Sequence, residues 1–275
     1  MYNFKNQPFS TAMMTALTRA ALALVLFALS FAARAQLTIE ITGAGANRIP
    51  IAIADFAGEP GVARAVSMVV RADLERSGLF RLVEANAPLV ENAAVNFADW
   101  KTRGADALVV GSIQPAANGR YEVRFRLHDV QKQASLGGLA YVMTAQQGRT
   151  TGHRIADFVY EKLLGEPGIF STRIAYVVKS AGRFELQIAD ADGMNAQTAL
   201  ASREPIISPS WSPDGKQIVF SSGSGQNPWS RDALAQLWVV PSSGGEVRQL
   251  TKEGDAVQPS WSPGGRRIAF WGLRA

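Results

Sequence analysis

Apolar residues along this chain recur with two different periods, which predict helices in some stretches and strands in others. Over residues 62–77 they recur every three or four positions, so we expect an amphipathic helix that Gly78 ends and whose polar face carries Ser67. A second main helix is predicted at residues 154–164 and a short one at residues 97–101. The buried face of the first helix would comprise Val62, Val66, Val69, Val70 and Leu74.

Strand patterns surround these helices. Strands are predicted at residues 37–42, 49–56, 80–84, 107–113, 121–127 and 139–144, and Asn118-Gly119 is a strong hairpin-turn signal. This order indicates an α/β N-terminal domain, a mixed sheet with two main helices, over residues 36–168. Its boundary is expected at Glu166-Pro167-Gly168.

The remaining residues carry an internal repeat. Residues 209–220 return as residues 259–270 with eight of twelve positions identical, although Gly264 stands where the first copy has Asp214. A period of about 40–50 residues built from short strands predicts an all-β propeller. We expect the tryptophans of the repeat to pack blades and its Ser-Pro-x-Gly segments to turn the chain. These structural positions are Trp211, Pro213, Gly215, Trp261, Pro263 and Gly265.

The repeat also predicts a propeller truncated after about two blades. Residues 169–275 would hold blades one and two and the start of the third, with an insertion at residues 223–232. Closed propellers typically need 4–8 blades, so we expect the chain to be a fragment of a longer protein. An open tail closed by self-association is the alternative.

The first 35 residues have the layout of a secretory signal peptide. Lys5 and Arg19 precede an apolar run, and Ala33-Arg34-Ala35 forms a small-residue cleavage site. We expect cleavage after Ala35, or, as the alternative, an uncleaved membrane anchor. Met13 or Met14 is a possible true start. A cleaved chain would begin at Gln36 in the periplasm with no membrane insertion of the mature protein.

Composition narrows the chemistry. The chain has no cysteine, which excludes disulfides and thiolate metal sites. Its net charge of +5 falls to +2 once residues 1–35 are set aside, so the charge gives little support to nucleic-acid binding. The two histidines, His128 and His153, are expected at the surface or as caps. No catalytic residue, metal site or cofactor is predicted: there is no G-x-S-x-G motif, and no glutamate completes a calcium loop after Asp190, Asp192 and Asn195.

Several segments together carry a family resemblance. They are the export signal, the α/β domain with Leu74-Glu75-Arg76-Ser77-Gly78-Leu79-Phe80, the junction Phe170-Ser171-Thr172-Arg173-Ile174-Ala175-Tyr176, and the repeat at residues 208–215. In this combination the chain resembles the TolB family of the Tol–Pal cell-envelope system from about residue 36 to its end. The propeller repeat alone is less specific.

The resemblance implies a non-enzymatic periplasmic scaffold with six blades in the complete protein. It implies that the propeller binds the lipoprotein Pal and that an N-terminal arm binds TolA, which maintains outer-membrane integrity and helps envelope constriction at cell division. The arm would comprise Gln36, Leu37, Thr38, Ile39, Glu40 and Ile41. The alternative interpretation of these residues is an ordinary first strand of the α/β domain. Candidate propeller-loop contacts are Ser208, Asp255 and Gln258.

Two other functions stay open at this stage. Propellers also precede serine-peptidase domains, so the chain could be the propeller fragment of a secreted serine peptidase that has lost its catalytic domain. A small-ligand-binding propeller is the other alternative, although the sequence offers no convergent polar set for a ligand.

Overall fold

A computed structural model describes residues 48–85, 87–223 and 234–273. The predicted signal peptide, the arm at residues 36–41 and nearly all of the insertion at residues 223–232 lie outside the described residues. The described residues belong to one compact unit. No helix in the described ranges is long and apolar enough to cross a membrane.

The first half of the described chain is a mixed sheet with helices on both faces. Its strands lie in the order β3-β1-β4-β5-β6, with β2 beside β4. Strand β1 is parallel to β3 and to β4, whereas β4-β5 and β5-β6 are antiparallel hairpins. The elements are β1 Ile49–Ile53, β2 Ala57–Gly58, α1 Pro60–Arg76, β3 Phe80–Val83, α2 Phe97–Thr102, β4 Ala107–Ala116, β5 Arg120–Asp129, β6 Ala134–Met143 and α3 Gly148–Leu164.

Helices α1 and α3 pack together on one face of this sheet. The close approach depends on Gly152 of α3, because a Cβ atom there would lie 2.8 Å from Cβ of Val69 on α1. The apolar faces of both helices join the inward side chains of β1, β4 and β5 in one core. On the opposite face, Trp100 of α2 covers Leu108 and Val110 of β4. Burial of these apolar surfaces is the main force that holds the layers together.

Two predictions about these helices were wrong in detail. Ser67 is fully buried, and its hydroxyl has acceptors within hydrogen-bond distance, Ala63 O at 3.1 Å and Asp55 Oδ1 at 3.3 Å. Helix α3 begins at Gly148 instead of Arg154. Its first turns carry polar side chains that the apolar pattern could not count as helical.

The connection after α3 is held at both ends. Gly165, with φ of +79°, ends the helix. Farther on, Asp157 of α3 accepts hydrogen bonds from the backbone N–H groups of Phe170 at 2.7 Å and of Ser171 at 3.1 Å. Gly168 lies against Asp157 so closely that a Cβ atom would be 2.4 Å from its Oδ1.

The second half consists of three antiparallel sheets. They contain three, four and two strands, in the orders β7-β8-β9, β10-β11-β12-β13 and β14-β15. The strands are β7 Arg173–Ser180, β8 Arg183–Asp190, β9 Gln197–Ser202, β10 Ile207–Trp211, β11 Gln217–Gly223, β12 Ala235–Pro241, β13 Arg248–Gln249, β14 Asp255–Trp261 and β15 Ile268–Leu273. The predicted fold class, an α/β domain followed by propeller-like blades, is confirmed.

Each pair of successive sheets shares an apolar core. Leu186 and Ile188 of the first sheet pack against Ile218 and Phe220 of the second. Val219 and Leu237 of the second sheet then pack with Ala256 of the third. Strands β10 and β14, which end in Trp211 and Trp261, were not predicted from the apolar pattern. Both strands contain a proline and a break in register, so their apolar alternation is interrupted.

Candidate functional site

The Ser-Pro-Asp-Gly turn between β10 and β11 is a closed hydrogen-bond network. Ser212 Oγ donates to Asp214 Oδ1 at 2.6 Å, and the same carboxylate oxygen accepts from Lys216 N at 3.0 Å. The hydrogen bond from Ser212, followed by that from the Lys216 backbone, lowers the pKa of Asp214 below its ordinary value. Gly215 has φ of +68°, which a side chain disfavours. The carboxylate therefore organises a turn, as its place in the repeat suggested.

The second copy of the turn keeps the backbone without the acid. Ser262 Oγ accepts from Arg267 N at 3.1 Å, just as Ser212 Oγ accepts from Gln217 N at 2.9 Å. An open cleft of about 410 Å³ lies between the two copies. It is lined by Ser212, Pro213, Asp214, Gln217, Trp261, Pro263, Gly264 and Gly265.

The two repeat tryptophans pack between sheets. Trp211 packs on the core shared by the first and second sheets, and Cζ of Arg173 lies 5.0 Å from its ring centroid. Trp261 packs on the core shared by the second and third sheets. Its buried Nε1 has no hydrogen-bond partner among the described residues.

Ser208 and Gln258 occupy the same unusual position in successive repeats. Their φ angles are +51° and +53°, and each directly precedes a proline. The strand register shifts between Ile207 and Ser210, and again between Val257 and Ser260. Bulges of this kind redirect side chains and are frequent beside functional sites. Because β10 packs against β14, the structure places these two predicted contact residues on adjoining strands.

Asp255, the third predicted loop contact, has a different environment. Its Oδ1 accepts a hydrogen bond from Ala235 N at 2.8 Å, which ties the start of β14 to the start of β12. One carboxylate oxygen of Asp255 therefore helps to hold the second and third sheets together. Unlike Ser208 and Gln258, Asp255 thus has a structural role in the described residues.

A polar cluster lies where the α/β domain meets the first propeller sheet. We call it the interface cluster, and two residues each come from α1, from α3, and from the end of β8 with the turn that follows it. Its six members are Asp73, Arg76, Arg149, His153, Asp190 and Asp192. It was not predicted, because its members are separated along the sequence by up to 119 positions, from Asp73 to Asp192.

His153 is the centre of the interface cluster. Its Nδ1 lies 2.6 Å from Asp73 Oδ2, and Asp73 Oδ1 accepts from Arg76 Nη2 at 2.5 Å. The other ring nitrogen, Nε2, lies 3.9 Å from Asp190 Oδ2 and 4.0 Å from Asp192 Oδ2. Among the described residues, Nε2 has no hydrogen-bond partner.

The turn that carries the two aspartates is itself well ordered by hydrogen bonds. Asp192 Oδ1 accepts from Met194 N at 3.0 Å, and Asp190 Oδ2 accepts from Asn195 Nδ2 at 2.7 Å. Arg149 Nη2 donates to Asp192 Oδ2. Burial raises the pKa of Asp192, but the bonds from Met194 and Arg149 and the nearby positive charge outweigh burial and lower the pKa below its ordinary value.

The prediction that both histidines lie at the surface or cap elements was wrong. His153 is 2 % exposed and lies inside α3, and His128 is 8 % exposed in β5. The ring of His128 meets the edge of Phe97 at 5.7 Å between centroids. Burial, and then the charge of Arg126, lowers the pKa of His128 below its ordinary value of 6.5. The sequence did contain one indication of the interface cluster. Asp73, a charged residue, falls within the apolar stripe of α1 between Val70 and Leu74, which indicates a buried carboxylate that needs a partner.

Comparisons with known proteins agree with this architecture. Residues 37–136 match the family model of the TolB amino-terminal domain, and residues 160–270 match that of the TolB beta propeller domain. Similar curated proteins include the Tol-Pal system protein TolB of Dechloromonas aromatica, 64% identical over 197 residues, which are 71% of this chain and 46% of that protein. The protein of the same name from Aromatoleum aromaticum is 61% identical over 211 residues, which are 76% of this chain and 50% of that protein.

A solved structure supports the same relationship. TolB from Acinetobacter baumannii superposes with a TM-score of 0.69 at 34% identity, over 82% of this chain and 55% of that one. The chain spans about half the length of the curated relatives it matches. The two family models together cover most of the described residues. The chain therefore belongs to the TolB family of Tol–Pal system proteins.

Proposed function

We propose that the protein is a non-enzymatic periplasmic scaffold of the Tol–Pal system that binds Pal and TolA. In this role it maintains outer-membrane integrity and supports envelope constriction at cell division. The observation that carries the proposal is the presence of both TolB family domains on one chain, with curated relatives at 61–64% identity that are named Tol-Pal system protein TolB. The same relatives favour the scaffold over the serine-peptidase alternative.

The proposed organisation has three parts. Residues 1–35 are an export signal cleaved after Ala35, residues 36–168 form the N-terminal α/β domain, and residues 169–275 are propeller. The basic, apolar and small-residue segments before Gln36 support export.

The TolA contact is assigned to the arm at residues 36–41. The alternation of Leu37, Ile39 and Ile41 with polar residues suits a strand that adds to the sheet edge of a partner. The arm would then emerge shortly before β1, which lies inside the sheet between β3 and β4.

The Pal contact is assigned to the propeller, near the bulges at Ser208 and Gln258. Their positive φ angles support this placement, because backbone strain of this kind is often kept where a side chain must be presented. Asp255 would contribute through the carboxylate oxygen that does not accept from Ala235 N.

Pull-down experiments test the two contacts separately. Purified mature chain is mixed with the soluble domain of Pal or of TolA, and the captured complexes are quantified. Deletion of residues 36–41 should abolish TolA capture and leave Pal capture, whereas the paired change Ser208→Ala and Gln258→Ala should weaken Pal capture alone. A folded chain that captures neither protein would overturn the proposal.

A further inference from the structure

The interface cluster contains a histidine nitrogen that the fold leaves without a partner. His153 is 2 % exposed, and its Nε2 points between Asp190 Oδ2 and Asp192 Oδ2 at 3.9 and 4.0 Å. Both separations exceed the range of a direct hydrogen bond. The three atoms nevertheless lie within 4.8 Å of one another, which is close enough for a single ion to contact all of them.

The contact of Nδ1 with Asp73, on the opposite side of the ring, determines which nitrogen of His153 can bind a ligand. An ionised carboxylate only accepts hydrogen bonds, so the 2.6 Å contact with Asp73 places the ring proton on Nδ1. In the neutral imidazole, the form that binds a metal, the lone pair of Nε2 then faces the two aspartates. A carboxylate that holds the Nδ1–H of a histidine in this way is the usual support of a histidine that binds a metal through Nε2.

The distances and ligand types suit a divalent metal ion. With tetrahedral metal–ligand bonds of about 2.0–2.2 Å, two ligands on one ion lie about 3.3–3.6 Å apart. The separations of 3.9 and 4.0 Å are slightly longer, so the side chains would close on a bound ion by roughly half an ångström. One imidazole and two carboxylates are ligands that zinc accepts readily.

We propose that His153, Asp190 and Asp192 form a site for a divalent transition-metal ion of the zinc class, supported by Asp73. The three ligands come from both sides of the domain junction, since α3 belongs to the α/β domain, and the end of β8 with the turn after it belongs to the first propeller sheet. A bound ion would therefore tie the two domains together. This inference does not depend on Pal or TolA binding.

Two arginines near Asp192 lower the affinity of the proposed site for a cation. Arg149 donates to Asp192 Oδ2, and Arg76 Nη1 lies 3.9 Å from the same oxygen. Their positive charges compete with a cation for that carboxylate, so the site should be of moderate affinity. The competition gives the proposal a distinctive signature, because removing Arg149 should tighten metal binding instead of weakening it.

The test is titration of the full chain, without a histidine tag, with zinc chloride in a calorimeter, followed by cobalt(II) absorption spectroscopy. We expect one ion per chain, at least tenfold weaker binding for His153→Gln and Asp192→Asn, and several-fold tighter binding for Arg149→Gln. Asp73→Asn should weaken binding by about tenfold or more through loss of ring orientation. His128→Gln is the matched control, since it removes the only other histidine, and should bind as the parent does.

Two results would overturn the proposal. The first is the absence of saturable zinc binding by the folded parent chain at millimolar metal. It would mean that Nε2 of His153 contacts water and not a metal ion. The second is equal binding by the parent and by Asp192→Asn, which would place the ion elsewhere. Asp192 lies in a turn, so this variant, checked by circular dichroism, keeps the test valid even if His153→Gln fails to fold.

Discussion

His128 and His153 lie in two pockets that are almost equally buried and opposite in character. The ring of His128 packs edge-on against Phe97, and neither of its nitrogens has a hydrogen-bond partner within the described part of the chain. His153 instead lies among three carboxylates and two guanidinium groups at the domain junction. Burial is therefore a poor guide to the role of a histidine, and the groups that face its two nitrogens decide it.

The largest expected effect comes from removing the anchor of His153. Asp73→Ala leaves the buried Nδ1–H of His153 without an acceptor and removes the nearer of the two ion-pair partners of Arg76. A buried donor left without its acceptor typically costs about 1–3 kcal/mol, and more where one of the groups is charged, so we expect a decrease of about 3 kcal/mol in the free energy of unfolding. Urea unfolding followed by circular dichroism measures it.

Asp99→Ala is the control for this change. Asp99 forms an exposed pair with Arg103 at 3.0 Å, and such pairs contribute about 0–1 kcal/mol. Equal losses from the two variants would mean that the interface cluster has no more energetic weight than a surface ion pair.

A second expected effect tests whether helix packing holds the cluster together. Gly152 precedes His153 and lets α3 approach α1, so a Cβ atom added there would collide with Val69. Gly152→Ala should lower the free energy of unfolding by about 1–3 kcal/mol and weaken zinc binding, because it moves the imidazole away from Asp73.

Gly61→Ala provides the comparison for Gly152→Ala. Gly61 is also in a helix, but a Cβ atom there would meet no heavy atom within 4 Å. Alanine should therefore be neutral or slightly stabilising at this position. If both variants lose the same stability in urea, crowding between the helices is not the cause.

The smallest expected effect concerns His128 and appears only at acidic pH. Its pKa is lower in the folded state than the ordinary value of 6.5, so below pH 6.5 the unfolded chain binds the proton first. Stability is thus fully present above pH 6.5 and falls as the pH drops toward the folded pKa, by at most about 1.4 kcal/mol per pH unit.

His128→Leu should remove this part of the pH dependence and leave stability at pH 8 nearly unchanged. The measurement is the unfolding free energy at a series of pH values between 8 and 5. A variant whose stability falls with pH as steeply as that of the parent would show that His128 is not the group responsible.

The apolar pattern was enough to predict the main elements but not the site. The helices and the paired strands of the α/β domain follow from residues such as Val66, Val70 and Leu74, whose spacing directly records one buried face. The alternation at residues 121–127 likewise predicted β5. Local patterns of this kind need no knowledge of distant residues.

The interface cluster could not be predicted because it forms only in the tertiary structure. Asp73 and His153 are 80 residues apart in sequence, and the two aspartates come from a turn in another sheet. The bulges were missed for a local reason. A residue before a proline normally adopts an extended conformation, yet Ser208 and Gln258 both have positive φ.

The carboxylate of Asp157 gives the connection between the domains a mechanical property. Because it binds the N–H groups of Phe170 and Ser171, the chain leaving α3 is fastened back onto the helix it has just left. The connection is therefore held against α3 by these two hydrogen bonds, and we expect it to restrict rotation of one domain relative to the other. Helix α3 therefore anchors both the connection, through Asp157, and the interface cluster, through His153, so a change in its position would alter both.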